Sequence, residues 1–334
     1  MLDSQEAARI VARAETEINK VIVGQEWQVR RLLIGLLAVI PYSFRRGAEE
    51  RTGYGHILLE GVPGLAKTLT ISTIASTIDA RFQRIQFTPD MLPADIIGTK
   101  VYESSTGTFR TEKGPIFANV ILADEINRAT QKTQSALLEA MQERQVTIGE
   151  QTYHLDEPFW VLATQNPVEQ EGVYPLPEAQ VDRFALKIRV DYPSHADELE
   201  MLRRRLADIT VEQVMDRATV LRLREMVSSV HVDDKIREYI IRIVRATRPG
   251  PDRSIPMVNE MVQSGASPRS AQHLLAVTRS TAFLEGRSYA LPRDVKAIAL
   301  DAMRHRLLRS VRAEAEDVSA DAIVTEILRK VPIP

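Results

Sequence analysis

GVPGLAKT, at residues 61–68, stands between a short apolar run and a stretch of helical character. Loops that bind nucleotide phosphates have the pattern G-x-x-x-x-G-K-[ST], and the sequence departs from it only at Ala66, where the second glycine is expected. In such a loop successive backbone N–H groups point at phosphate oxygens. Lys67 would reach the β- and γ-phosphates, and the Thr68 hydroxyl would ligate Mg²⁺. A Gly-Pro turn before an exposed lysine would give the same letters, so the loop alone does not decide the function.

Ala66 bears on whether this loop can work. An alanine held at positive φ costs about 1–2 kcal/mol, and the surrounding loop and a bound phosphate can hold a residue in that conformation. A decayed site would be expected to lose the lysine or the acidic residue that activates water, whereas Lys67 and Glu125 are both present. We therefore interpret the loop as a working variant.

Strand and helix signals alternate on both sides of the loop. Helical patterns cover residues 5–20 and 25–40, and another follows the loop at 68–78. Five segments predict strands: HILLE (56–60), RFQRIQF (81–87), NVILADE (119–125), FWVLATQN (159–166) and FALKIRV (184–190). Strands that alternate with helices favour an α/β fold with a parallel sheet.

Two segments interrupt this alternation, and the chain then changes character. TKVYESSTGTFRTEKG (99–114) and VTIGEQTYHL (146–155) have turn residues between strand-like arms and predict β-hairpins. After about residue 193 the strand signals stop, and helices are predicted at 234–248, after Ser267-Pro268 and after Leu291-Pro292. We therefore expect an α/β nucleotide-binding domain at residues 1–193 and a smaller all-helical domain at 194–334.

Polar residues end two of the predicted strands. Asp124 and Glu125 close NVILADE, and Asn166 closes FWVLATQN. The carboxyl ends of parallel strands face the ligand crevice of an open α/β sheet. In a phosphate-loop enzyme an aspartate there holds the Mg²⁺ shell, and a glutamate can orient the attacking water. Asn166 would position the water or contact the γ-phosphate, although before Pro167 it also fits an ordinary turn.

Two arginines are candidates for contacts with the transferred phosphate. Arg183 lies where LPEAQVDRF passes from a predicted short helix into a strand, and Arg269 begins a helix of the second domain in GASPRS. Delocalised charge and forked donors suit arginine to this task, and such a residue can raise the rate by about 10³–10⁵. Both positions also fit an ordinary solvated surface residue.

The composition limits other classes of function. The 334 residues suit two domains, and a net charge of −2 gives no general attraction for nucleic acid or an anionic membrane. The chain has no cysteine, and its six histidines are scattered, so we expect no disulfide and no zinc site. The longest apolar run, LLIGLLAVI (32–40), is too short to span a bilayer, and the N-terminus has no signal sequence. We expect a cytoplasmic protein that is not embedded in a membrane.

The order of the motifs is specific. GVPGLAKT, LADEINRA, ATQNPVEQEGVYPLPEAQVDRF and GASPRS closely resemble, in this order, the motifs of the MoxR family of AAA+ ATPases. VIVGQ near the start and FTPDMLPADIIGT after the second strand resemble that family too, so the match extends from about residue 18 to 310. The resemblance implies an AAA+ P-loop core with a five-stranded parallel sheet, a helix-2 insert, a pre-sensor-1 hairpin and a helical lid. Alanine at position 66 is also found in this family.

The resemblance also implies roles for individual residues. ATP and Mg²⁺ would be the cofactors, and the metal would be held by Thr68 and Asp124. Glu125 would be catalytic, and Asn166, Arg183 and Arg269 would be sensor 1, the arginine finger and sensor 2. Arg128 is a further candidate for contact with a neighbouring subunit. The nucleotide would contact Val23, Gly61, Val62, Pro63, Gly64, Leu65, Ala66, Lys67, Thr68 and Leu69.

Family members are chaperone-like ATPases that form rings, usually hexameric, with ATP at subunit interfaces. The resemblance therefore implies that this chain remodels, matures or activates partner proteins, often ones with a von Willebrand factor A domain. A DNA motor similar to the MCM helicases, which share both hairpins, is an alternative. The tip of the 146–155 hairpin, Gly149-Glu150, has no basic residue to meet DNA phosphates, so we expect no nucleic-acid partner. A slow ATP-dependent switch also stays open, although Glu125 and Arg183 favour hydrolysis.

Overall fold

The computed structural model of the chain describes residues 4–46, 49–62, 64–166, 172–204, 209–250 and 255–334. The helices are α1 Ser4–Val21, α2 Glu26–Leu37, α3 Lys67–Thr77, α4 Pro93–Ile97, α5 Gln131–Glu143, α6 Glu178–Val181, α7 His195–Arg203, α8 Arg217–Ser228, α9 Asp234–Ala246, α10 Pro256–Met261, α11 Pro268–Leu284, α12 Pro292–Met303, α13 Val311–Ala315 and α14 Ala320–Lys330. The strands are β1 Val39–Arg46, β2 Glu49–Tyr54, β3 Ile57–Glu60, β4 Phe82–Gln86, β5 Gly98–Glu103, β6 Thr108–Lys113, β7 Val120–Asp124, β8 Gln145–Ile148, β9 Gln151–His154, β10 Trp160–Gln165, β11 Leu186–Arg189, β12 Val262–Ser264 and β13 Leu308–Arg309.

Five strands form one parallel sheet in the order β11-β3-β10-β7-β4. In its centre, Ala163 of β10 pairs with Leu58 of β3 on one side and with Ala123 of β7 on the other. All five predicted strands are confirmed, and each is slightly shorter than its predicted range. Because the strands are parallel, the segments that follow β3, β7 and β10 leave the sheet at the same edge.

Both faces of the sheet are buried at its centre, which explains why β3, β7 and β10 are mostly apolar, whereas the edge strands β4 and β11 also contain charged residues. Ile57 and Leu59 of β3 face a core that includes α1, α2 and α3, whereas Leu58 between them faces a second core with α4 and α5. Successive side chains of a strand point to opposite faces, so an apolar residue is needed at every position.

The helices after β11 pack onto the first of these cores. Apolar side chains continue without a break from Ile57 through α1 and α2 to Leu223 of α8 and Leu274 of α11. The expectation of a purely helical second domain needs one correction, because β12 and β13 form a short antiparallel pair. The β-branched Val262 has an extended backbone (φ −113, ψ 124) where α10 ends, and this starts the strand. A boundary at residue 193 stays a prediction.

The predicted helix at 25–40 is wrong at its end. Helix α2 stops at Leu37, and the chain continues as β1, which pairs antiparallel with β2. Pro41 has no backbone N–H and disfavours a helical conformation at Ile40, and Val39 and Ile40 are β-branched. The apolar run 32–40 is therefore divided between a helix and a strand. None of the helices in the described ranges is long and apolar enough to cross a bilayer.

The two predicted hairpins are confirmed as β5–β6 and β8–β9. Their turns contain Gly107 (φ 67) and Gly149 (φ 64), in the left-handed region that glycine adopts without strain. Gly149 also has a packing role, since a Cβ there would lie 2.5 Å from Cε of Lys100 on the other hairpin. A hydrogen bond of 3.1 Å from the Tyr153 hydroxyl to Thr111 Oγ1 joins the hairpins as well.

Candidate nucleotide site

The loop between β3 and α3 holds its alanine at positive φ. Ala66 has φ 52 and ψ 19, so alanine occupies the left-handed region with a strain of about 1–2 kcal/mol. Thr70 anchors this residue, because its N–H and its hydroxyl both donate to the carbonyl of Ala66, at 2.9 and 3.0 Å. Gly64 also has positive φ, and a Cβ there would meet no atom within 4 Å. Pro63 lies outside the described residues.

Lys67 begins α3 and folds back over the loop. Its ammonium donates to the carbonyl of Gly61, and the side chain is half-buried. Burial lowers the pKa of Lys67, and nearby carboxylates, among them Asp124 and Glu125, act in the opposite direction. The ammonium is therefore partly removed from water at the mouth of the loop, where a polyphosphate would find a weakly solvated cation.

The two acidic residues at the end of β7 are held by a threonine of the neighbouring strand β10. Thr164 Oγ1 donates to Asp124 Oδ1 at 2.6 Å and accepts from the N–H of Glu125 at 2.8 Å. Glu125 has φ 55 and ψ 49, so a second non-glycine residue of the site is in the left-handed region. Strained backbone of this kind is concentrated at functional sites.

Sequence reasoning missed the polar residues that surround these carboxylates. Arg84 donates to Asp124 Oδ2 through Nε at 3.0 Å and Nη2 at 2.5 Å. Gln86 donates to Glu125 Oε2 at 2.9 Å, and Arg128 Nε lies 2.8 Å from the same oxygen. Strand alternation places Arg84 and Gln86, two positions apart on β4, on one face of the sheet, but only the pairing of β4 with β7 brings them to Asp124 and Glu125.

The loop, Arg84 and the two carboxylates line a cleft of about 420 Å³ at the carboxyl edge of the sheet. Asn166 lies in it directly after β10, with 9% of its surface exposed, where the sequence placed it. Val23 and Val62 are not among the described residues that line it: Val23 is buried, and Val62 is half-buried against the first apolar core. The lining consists of Gly61, Gly64, Leu65, Ala66, Lys67, Thr68, Leu69, Arg84, Asp124, Glu125, Thr164, Gln165 and Asn166.

The cleft fits a nucleotide with Mg²⁺. It offers an open cradle at Gly64, a lysine, a hydroxyl and two carboxylates. A hydroxyl and a carboxylate, Thr68 and Asp124, are the hard oxygen donors that Mg²⁺ prefers. Arg84 already binds one oxygen of Asp124, so its guanidinium would have to share this oxygen with the metal shell or move from it.

Arg183 and Arg269 are absent from the described residues that line this cleft. Arg183 Nη1 donates to the carbonyl of Leu138 on α5 at 2.6 Å and borders a separate hollow of about 280 Å³. Arg269 lies in the first turn of α11, whose N-cap Ser267 donates to Asp182 Oδ2 at 3.0 Å. The segments that contain Arg183 and Arg269 thus lie next to each other, but neither arginine lines the cleft that contains Lys67.

Comparison with known proteins agrees with this geometry. Residues 56–186 match the ATPase family associated with various cellular activities (AAA), and residues 256–327 match an AAA lid domain. Chaperone MoxR1 of Mycobacterium tuberculosis is 45% identical over 96% of this chain and 82% of its own length. The uncharacterized protein YeaC of Bacillus subtilis is 42% identical over 97% of this chain and 95% of its own length.

A crystal structure of a candidate ATPase from Cytophaga hutchinsonii superimposes with a TM-score of 0.88. It is 46% identical in sequence, and the alignment covers 99% of this chain and 97% of that chain. The predicted fold class, a five-stranded parallel P-loop core with two hairpins and a lid, is therefore confirmed. By its relatives and its fold, the chain belongs to the MoxR family of AAA+ ATPases.

Proposed function

We propose that the protein hydrolyses ATP, with Mg²⁺ as cofactor, and uses the reaction to remodel or activate partner proteins. The observation that carries the ATPase proposal is the convergence of Lys67, Asp124 and Glu125 on one cleft, beside a loop that leads into a helix N-terminus. The name of the relative Chaperone MoxR1 supports chaperone-like use of the reaction.

Each part of the cleft has a task in binding ATP. Loop N–H groups and the start of α3 would receive the phosphates, and the Lys67 ammonium would leave the Gly61 carbonyl for the β- and γ-phosphates. Thr68 and Asp124 would hold Mg²⁺, which neutralises phosphate charge when bound. These contacts would bind the nucleotide without yet breaking a bond.

Hydrolysis requires an activated water. The Glu125 carboxylate would accept a proton from water while the water oxygen attacks the γ-phosphorus and the β–γ bridging oxygen leaves with ADP. Thr164 fixes the Glu125 backbone through the 2.8 Å hydrogen bond, and buried Asn166 would orient the water or the γ-phosphate. Gln86 and Arg128 both bind Oε2 of Glu125 and would influence when this carboxylate is available.

Arg183 would act on the ATP of a neighbouring subunit. It borders a hollow on α5 rather than its own cleft, which supports action in trans in a ring. We propose a homo-oligomeric ring of six subunits, the size that the family resemblance implies, with ATP at each interface. Arg269 starts a helix attached beside Arg183 and would serve the same interface.

The outer hairpin β5–β6 supports a protein partner. Tyr102 and Phe109 are 57% and 68% exposed, and their ring centroids are 5.2 Å apart, which gives an aromatic surface at a hairpin. Exposed aromatic pairs are typical of protein-binding surfaces. We propose that the protein is cytoplasmic, that its partner is a protein of the kind that has a von Willebrand factor A domain, and that it has no nucleic-acid partner.

The ATPase proposal is tested with two variants. Lys67→Ala should nearly abolish ATP binding, because the cation that faces the phosphates is lost. Glu125→Gln should keep ATP affinity and stop turnover, because the amide does not accept a proton. Affinity and steady-state turnover are measured separately, and unchanged turnover in Glu125→Gln would remove this residue from the proposed role.

The proposal for Arg183 is tested by mixing two inactive variants. Arg183→Ala subunits keep a pocket but supply no finger, and Lys67→Ala subunits supply a finger but have no pocket. In randomly assembled equal mixtures about a quarter of interfaces would pair an intact pocket with an intact finger, so ATPase activity should return. A mixture as inactive as its components, under conditions where rings form, would contradict action in trans.

A further inference from the structure

Arg306 binds the chain on both sides of Arg183. It belongs to the short 3-10 helix Arg304–Arg306 of the lid, and its side chain is 1% exposed. Nε donates to Asp182 Oδ1 at 2.8 Å, and Nη2 donates to the carbonyl of Phe184 at 2.7 Å. Longer contacts of 3.4 Å reach the carbonyls of Asp182 and Ala185. One buried guanidinium thus brackets the proposed finger from residue 182 to residue 185.

Asp182 joins the same segment to a second part of the lid. Its Oδ2 accepts from the hydroxyl of Ser267, the N-cap of α11, at 3.0 Å. Ser270, in the first turn of that helix, lies 3.5 Å from Oδ1 through its hydroxyl. Arg269 is between these two serines in the sequence. A single carboxylate next to Arg183 therefore also fixes the helix start that presents Arg269.

We infer that Arg306 and Asp182 are positioning residues that set the geometry of Arg183 from the lid. The inference rests on the proposed function, in which Arg183 completes the ATP site of a neighbour. The fork of a guanidinium is planar and fixes two acceptors at once, so it holds backbone direction as well as distance. A displacement of about 1 Å at a catalytic group can reduce the rate by about 10².

This arrangement has a consequence for communication within a ring. A lid movement in one subunit would be passed through Arg306 and Asp182 to residues 182–185, and from there to the next subunit's phosphate. Only the neighbour's rate constant for hydrolysis would change, because neither Arg306 nor Asp182 lines the described cleft of its own subunit. A positioning role therefore predicts slower hydrolysis in the neighbouring subunit alone, whereas a general loss of stability would also impair the subunit that carries the substitution.

The experiment uses the two-component ring described above. Arg306→Lys is introduced into the finger donor, which carries Lys67→Ala, or into the pocket donor, which carries Arg183→Ala. In the finger donor it should lower the restored kcat about tenfold or more with the KM for ATP unchanged. In the pocket donor, whose own finger is already absent, the restored kcat should stay within about twofold. Equal losses in both arms, or no loss in the finger donor, would overturn the inference.

Two further variants separate positioning from folding. Asp182→Asn keeps an acceptor for Ser267 and removes the ion pair, so it should reproduce the asymmetry if Arg306→Lys does not fold. Arg304→Lys is the matched control: Arg304 lies in the same short helix, its side chain is 7% exposed, and it donates to the carbonyl of Lys187 at 3.0 Å, beyond the finger. In the finger donor, Arg304→Lys should leave the restored kcat within about twofold of its value without this substitution. A loss of kcat equal to that of Arg306→Lys would indicate general loosening of the lid.

The result also distinguishes this inference from the proposed function. If Lys67→Ala and Arg183→Ala subunits without a further substitution restore no activity when mixed, action in trans is contradicted. The positioning role is then tested in uniform rings, which are built from one kind of subunit that keeps both Lys67 and Arg183. There Arg306→Lys must lower kcat about tenfold with an unchanged Kd for ATP, whereas Arg304→Lys must not. An unchanged kcat in uniform Arg306→Lys rings would overturn the positioning role independently of where Arg183 acts.

Discussion

The hydroxyl of Thr164 donates to Asp124 at 2.6 Å, and the same oxygen accepts from the N–H of Glu125 at 2.8 Å. One buried threonine on β10 thus fixes both acidic residues at the end of β7. Thr164→Val keeps the shape and removes both hydrogen bonds, so Glu125 would lose its anchor in a left-handed conformation. We expect kcat to fall about 10–100-fold, with ATP affinity changed less than about threefold.

Steady-state kinetics and direct ATP binding check this prediction. Thr164→Ser, which keeps the hydroxyl, is the control and should retain most of the activity. A Thr164→Val protein with full turnover would mean that the Glu125 backbone is held sufficiently by the strands alone.

Ala66→Gly should leave a competent site with equal or better ATP affinity. Glycine at φ 52 relieves about 1–2 kcal/mol of strain, but it also gains freedom in the unfolded chain worth about 0.5–1 kcal/mol. The free energy of unfolding should therefore rise by no more than about 1.5 kcal/mol. Ala12→Gly, at an exposed position in α1, is the control and should destabilise the protein by about 0.5–1 kcal/mol.

Isothermal titration and urea unfolding measure the two quantities for Ala66→Gly. A large loss of ATP affinity would show that the alanine methyl makes a contact that the site needs.

DNA should bind negligibly at physiological salt, with a Kd weaker than about 10⁻⁴ M. The net charge of the chain is −2, and the turn of the β8–β9 hairpin, Gly149-Glu150, has no basic residue. On the outer hairpin, the Lys113 ammonium lies over the rings of Phe117 and Tyr153, at 4.7 and 5.3 Å from their centroids, so it is already engaged. Fluorescence anisotropy and ATPase assays with DNA test this. Salt-sensitive binding with strong stimulation would favour the DNA motor instead.

Acid should destabilise the protein through His56. Burial lowers the pKa of His56 to about 3 from an ordinary 6.5. Its Nδ1 accepts from the N–H of Val161 at 3.0 Å, so the neutral ring is the form that fits. Between these pH values the unfolded chain binds the extra proton. The contribution of His56 is complete above about pH 6.5 and falls by up to about 1.4 kcal/mol per pH unit below it.

The free energy of unfolding by urea at pH 7.5, 6.5 and 5.5 measures this dependence. His56→Gln should reduce the slope below pH 6.5, although the variant starts from lower stability; burial also lowers the pKa of His273 and of His305, and these two residues would contribute to the remaining slope. His154→Gln is the control, because His154 is exposed at the end of β9. An unchanged slope in His56→Gln would show that other groups cause the acid sensitivity.

The sequence was sufficient for the sheet and for the residues that end its strands. Strand-like segments between turns and helices located all five strands. The parallel arrangement of the strands then brings Lys67, Asp124 and Asn166 to one edge of the sheet. The roles proposed for these residues stay predictions. The hairpin β1–β2 was missed because LLIGLLAVI has no polar residue to mark the change from helix to strand.

Contacts between distant residues could not be predicted. Asp182 and Arg306 are 124 positions apart. Asp182 lies in the motif LPEAQVDRF, but nothing in that motif gives it a partner, and Arg306 belongs to no motif that the sequence analysis identified. Arg84 was similarly hidden, because a charged residue within a strand usually marks the solvated side. Only the neighbouring strand β7 shows that its partner is Asp124.

The continuous apolar core, which extends from β3 through α1 and α2 into α11, has a consequence for how the protein is made. Helices α1 and α2 leave the ribosome well before α11, the helix that they contact. Until then their apolar faces have no permanent partner, and domains generally fold as units only when the chain that completes them is available. During its own synthesis, this chain would therefore need protection of these apolar faces from premature association.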